Sequence, residues 1–169
     1  MIKSSIFGFA LMIVVIIVQS TWLQAISVYS VVPDLTLIVL IYISFKNIQP
    51  QGQIIGFLSG FFHDSISAFP LGTTSFVKTA IAFTFNLFSG KFYIDRIVIP
   101  FLFGLVATVF KAIYIEFLQL FFAEHILLSY SFFSKTLWIE VLYNAVLSPP
   151  IFFLLGLFQK ILIKSDKYQ

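Results

Sequence analysis

Five ionisable side chains and one amide stand inside apolar runs of this chain: Asp64, Lys78, Lys111, Glu116, Glu140 and Asn144. Groups of these types can transfer protons, hold a metal, bind a polar ligand or pair with one another. Catalysis by Glu116 or Glu140 has no support, because no nucleophile, metal set or oxyanion-donor motif accompanies either one. The chain has no cysteine, which removes disulfides, thiolate metal sites and a thiol nucleophile. His63 and His125 lie far apart and offer no metal-ligand spacing. His63 reads as a hydrogen-bonding residue inside a helix, and no cofactor is expected. A charge near a bilayer centre costs about 2.5–3.5 kcal/mol on insertion scales, so mutual pairing is the cheapest relief. Three uses of such pairs stay open: fixing helix register, docking a partner's transmembrane helix, or lining a pocket for a small substrate.

The element that must position this chemistry is GQIIGFLSGFFHDSISAFPLG, residues 52–72. Gly52, Gly56 and Gly60 are four residues apart and share one helix face, where the missing side chains admit a neighbouring helix. Asp64 continues that face and should point at protein or a water-filled cavity, not at lipid. Pro70-Leu71-Gly72 then ends the helix in a corner. The hydroxyls of Thr73, Thr74 and Ser75 are expected to cap the next helix.

Composition sets the class. The 169 residues are 60% hydrophobic and 10% charged, against about 25% charged in a soluble domain, which indicates an integral membrane protein. There is no basic arm, so nucleic-acid binding is not expected. The chain reads as one all-α domain, residues 1–169, with six transmembrane helices over residues 6–23, 33–46, 52–69, 74–89, 97–122 and 137–162. The first apolar run lacks a well-formed signal cleavage site and is expected to remain as a helix. Pro33-Asp34 is expected to open the second helix within its first turn, the proline needing no N–H and the acid facing the positive dipole end. That helix is short for a crossing, so residues 28–32 extend it or the bilayer thins around it. Glu124 and His125 fall in a polar loop. Pro149-Pro150 should kink the sixth helix. Most of the 23 phenylalanines are expected to face lipid or fill the core. Trp22 and Trp138 suit an interfacial belt.

Charge distribution orients the bundle. Lys3, Lys46, Lys91, Arg96, Lys160, Lys164 and Lys167 fall on one side, and only Lys135 on the other. Seven against one places both termini in the cytoplasm. Asp64 and Lys78 then sit at similar depth, roughly 7 Å below the outer rim at 1.5 Å per residue. The expectation is a polar cluster in the outer half of the bundle, with Asp64 paired to Lys78 and Lys111 near Glu116 or Glu140.

The pattern resembles the bacterial rod-shape-determining MreD family. The matching pieces are Pro33-Asp34-Leu35, the glycine stripe leading to Asp64, the Pro70-Leu71-Gly72 corner, and Asn144 with a proline after it. The resemblance implies a non-enzymatic, multi-pass inner-membrane subunit of the cell-elongation machinery. Its direct partner would be MreC, through a transmembrane helix and a periplasmic part. MreB, RodA and a class B penicillin-binding protein would be indirect partners in lateral peptidoglycan synthesis and cell-shape maintenance. The family's fold is similar to the substrate-binding S components of energy-coupling-factor vitamin transporters, which supplies an alternative function. The first helix, with Gly8 and Ala10, lacks the alanine spacing of such subunits, and the loop after Ser20 is short and nearly featureless.

Overall fold

A computed structural model describes the chain except for residues 1, 24–26, 28, 30, 48–49, 67–69, 92–94, 123–133 and 163–169. Glu124 and His125, with the loop that holds them, lie outside the described residues, as do Phe69 at the corner and the tail lysines Lys164 and Lys167. The helices are α1 (Ile2–Thr21), α2 (Leu35–Lys46), α3 (Gln51–Ile66), α4 (Thr73–Leu87), α5 (Val98–Phe122), α6 (Lys135–Leu157) and the single turn α7 (Gln159–Leu162). Three of them, α1, α5 and α6, are long and apolar enough to cross a membrane. With the composition, that makes the chain a membrane protein.

The short second helix is the centre of the bundle. Every residue from Thr36 to Phe45 is buried, and α2 touches α1, α3, α4, α5 and α6. A helix apolar all round and sheathed by its neighbours meets little lipid. This explains its length better than a thinned bilayer or an extension through residues 28–32. Its first helical residue is Leu35, so Pro33 lies outside the helix and Asp34 is its N-cap. The expected placement of Pro33-Asp34 within the first turn is thereby corrected. The reason is chemical: an aspartate at N-cap accepts a backbone N–H that a position inside the turn could not reach.

Aromatic rings fill the middle of the core. Phe103 makes edge-on contacts with Phe45, Phe85 and Phe152, and Phe152 in turn meets Tyr42. These rings join α2, α4, α5 and α6. On the outside, Ile54, Phe57, Leu58 and Phe61 of α3 and Phe153 and Leu154 of α6 are exposed, as helix faces in lipid must be. Trp22 and Trp138 are also exposed. Helix α6 runs through Pro149 and Pro150 as one element and ends at Leu157; the expected span to residue 162 is divided at Phe158.

The glycine stripe does what bulkless residues permit. A Cβ built on Gly56 would lie 3.0 Å from the Lys78 carbonyl oxygen, and one on Gly60 would overlap the backbone of Ser75. Both therefore seat α4 against α3. Gly52 faces α2 instead, where a Cβ would come within 2.9 Å of the Ser44 Cα. A fourth close approach, at Gly104, brings α5 against the Asn144 carbonyl of α6.

One end of the bundle is knitted by side chains that reach backbone carbonyls. The Ser4 hydroxyl donates to the Leu162 carbonyl, and Asn47 Nδ2 donates to the same oxygen. Asn86 Nδ2 donates to the carbonyls of Ser44 and Asn47. Gln51 Nε2 donates to Ser4 Oγ. The start of α1, the ends of α2 and α4, the start of α3 and the end of α7 thus meet at one level. Lys46, Lys91 and Arg96 belong to the same end.

Candidate functional site

The ionisable residues gather toward the opposite end, in two groups that share a cavity. The first group is built on Lys111 of α5. Its Nζ donates to Asp34 Oδ2 and to Glu140 Oε1, each at 2.7 Å. Asp34 is held by more than this ion pair. Its Oδ1 accepts from the Thr36 hydroxyl at 2.7 Å and from the Leu37 N–H at 3.0 Å, closing the first turn of α2. Its own N–H donates to Asn144 Oδ1 at 2.8 Å, and Asn144 Nδ2 donates to Thr108 Oγ1 at 2.9 Å. Seven residues of α2 with its N-cap, α5 and α6 therefore satisfy one another. The side chains of Lys111, Asp34 and Glu140 are only 18%, 12% and 5% exposed. Burial of that degree is tolerable because each charge faces an opposite one and each carboxylate accepts a charge-assisted bond.

The second group corrects an expectation. Asp64 does not pair with Lys78. Its carboxylate crosses from α3 to the start of α4 and accepts the N–H groups of Gly72, Thr74 and Ser75, at 3.0, 3.1 and 3.3 Å, plus the Ser75 hydroxyl. Those N–H groups are the orphan donors of a helix start, and the positive dipole end favours an anion there. The Thr73–Ser75 hydroxyls were expected to cap α4, yet its N-cap position is Gly72, which carries no side chain. The capping oxygen instead comes from a residue eight or more positions earlier, carried in by the left-handed turn at Gly72, φ +98°. Three fixed N–H groups already surround the Asp64 carboxylate and take the place of a lysine partner. Lys78, itself buried, turns to His63, with Nζ 3.3 Å from Nδ1. His63 thus serves as a hydrogen-bonding residue inside the bundle.

Between the two groups lies a cavity of about 190 Å³, with Lys78, His63, Asp34 and Lys111 on its polar side and Leu37, Val77, Ile81 and Ile115 among its apolar walls. Glu116, half-buried on α5, does not line it. Of the six residues singled out in the sequence, the structure brings Lys111, Glu140 and Asn144 into one network, places Asp64 and Lys78 beside it, and leaves Glu116 outside the cavity. Asp34, expected only as the start of the second helix and not as a member of the polar cluster, carries the centre of the network. Its signal was in the sequence: an acid after a proline, ahead of a helix apolar on all sides, can be buried only if a cation meets it. Thr108 gave no comparable signal, since a threonine in a membrane helix most often bonds its own preceding turn, as Thr108 also does to the Gly104 carbonyl. Among the described residues no cluster of His, Asp and Glu is arranged to hold a metal ion.

No curated protein and no solved structure matches the chain. A family does match. The sequence model of the rod shape-determining protein MreD covers residues 2–158, from the first helix to the end of α6, and so takes in both groups of charges and the glycine stripe. An all-helical membrane chain matched over nearly its whole length belongs to the rod shape-determining protein MreD family.

Proposed function

We propose that this chain is a non-enzymatic subunit of the cell-elongation complex in the inner membrane, with both termini in the cytoplasm, and that it holds MreC by its transmembrane helix. The role in rod shape determination follows from the family; the partner and the orientation are our reading. The observation that carries it is the internal satisfaction of the buried charges. Lys111, Asp34, Glu140 and Asn144 spend their bonding capacity on fixing α2, α5 and α6 relative to one another. Asp64 spends its own on fixing α4 to α3. Groups so committed act as a frame, and a frame suits a protein whose task is to present a helix-docking face.

A partner helix in lipid is held by close packing and a few interhelical bonds. MreC capture should therefore depend on the frame without needing any one charge to touch MreC. The test is copurification of MreC from detergent, with cell shape scored in parallel. Lys111→Met, which leaves two carboxylates facing each other, should abolish capture and round the cells. Lys111→Arg, which keeps the cation, should restore a large part of both. Normal capture of MreC by well-folded Lys111→Met protein would sink the proposal. MreB, RodA and a class B penicillin-binding protein would join through MreC, so their recovery should fall in step with MreC.

A further inference from the structure

A second depression lies at the other end of the bundle, away from the ion-paired network. It is a groove of about 440 Å³ between the end of α2, the start of α5 and the end of α6, with Lys46, Arg96, Asp95, Phe153, Leu157 and Gly156 on its walls. We propose that this groove binds one anionic phospholipid from the leaflet on the basic side of the bundle, the phosphate between Lys46 and Arg96 and an acyl chain along Phe153 and Leu157.

Three observations converge on a lipid. First, the cations are uncommitted: among the described residues no carboxylate forms an ion pair with Lys46 or Arg96. The acid that shares the groove, Asp95, turns one oxygen to the Arg96 backbone N–H at 2.8 Å. Second, the walls change character along the groove, from charged residues where the helix ends meet the headgroup level to exposed aromatic and aliphatic side chains on α6. An amphiphile matches both parts, whereas a soluble anion matches only the first. Third, Gly156 is unlike the other glycines within helices. Gly8, Gly52, Gly56, Gly60 and Gly104 each have a neighbour against the missing side chain, while a Cβ on Gly156 would meet nothing. Among the described residues no element uses the close approach that Gly156 permits, and it opens into the groove. Basic pockets between transmembrane helices on one membrane face are suited to anionic headgroups.

The inference rests on the groove alone and stands or falls separately from the MreC reading. The protein is reconstituted in phosphatidylcholine nanodiscs with increasing phosphatidylglycerol, and retained lipid is counted by native mass spectrometry. Phosphatidylglycerol should be retained preferentially, with a loss of about fivefold for Lys46→Gln or Arg96→Gln and roughly thirtyfold for both together. Lys91→Gln, at the same end but outside the groove, should change nothing. Gly156→Leu should fill the groove and expel the lipid while thermal unfolding stays where it was, since nothing packs there. Equal retention of both lipids would overturn the assignment. So would a loss in Lys91→Gln as large as in Lys46→Gln, because that is unlocalised surface attraction. Displacement of the lipid by glycerol phosphate at the lipid's own concentration would show that the apolar wall plays no part, and would overturn it as well.

Discussion

Lys111 is the side chain on which most depends, because it stands between two buried carboxylates and pairs with both. Removing one member of a buried pair leaves an uncompensated charge and costs about 3–5 kcal/mol. Lys111→Met should therefore be the most damaging single change in the network. Glu140→Gln should cost less, since Lys111 keeps Asp34. A ranking of thermal unfolding midpoints in detergent checks this order; a Glu140→Gln midpoint below that of Lys111→Met would contradict it. Asp64 acts differently. It is a cap supplied from another helix, so Asp64→Ala deletes bonds to three N–H groups at once. Losing an N-cap costs about 0.5–2 kcal/mol, and Asp64→Asn, which keeps an acceptor oxygen, should recover part of it. Hydrogen exchange at Thr74 and Ser75 reads the effect directly: faster in Asp64→Ala, intermediate in Asp64→Asn.

Helices α3 and α4 depend on the absence of bulk between them. Gly56 stands where an added methyl would touch the Lys78 carbonyl at 3.0 Å, a contact that a small shift can relieve. Gly60 stands where the obstacle is Ser75 backbone, which cannot give way without moving α4. Gly56→Ala should therefore be tolerated better than Gly60→Ala, and Gly56→Leu should be worse than Gly56→Ala. Because Asp64 reaches α4 from the same face, a helix pushed outward at Gly60 should also lose its cap. Gly60→Ala and Asp64→Ala combined should then destabilise by less than the sum of the two singly, a shortfall of the kind that double-mutant cycles measure between coupled sites. Full additivity would mean that packing and capping act independently.

For the whole molecule, the two ends differ in kind. One end is tied by amide and hydroxyl bonds to carbonyls and carries Lys46, Lys91 and Arg96; the other holds the ion pairs. If the basic end faces the cytoplasm, as the positive-inside rule directs, then Tyr29, left exposed after α1, faces outward. The absence of native cysteine makes the check simple. In intact spheroplasts a membrane-impermeant maleimide should label Tyr29→Cys and spare Lys91→Cys, and lysis should expose the latter. The reverse pattern would invert the orientation.

Much of this architecture was legible in the residues. Membrane residence followed from 60% hydrophobic content, the glycine stripe announced a close helix contact, and the MreD resemblance rested on motifs that the family match now covers. Local chemistry sufficed for these because hydropathy, side-chain size and helix period are properties of short stretches. Partner choice among the charges was not local. Asp64 and Lys78 stand at similar depth on neighbouring helices, and depth alone paired them; the fold turned Asp64 to the backbone donors of α4 and Lys78 to His63. Asp34 and Lys111 are 77 residues apart, and no spacing rule links them. They meet because α2 is threaded through the middle of the bundle, where its capping acid can be buried only against a cation from another helix.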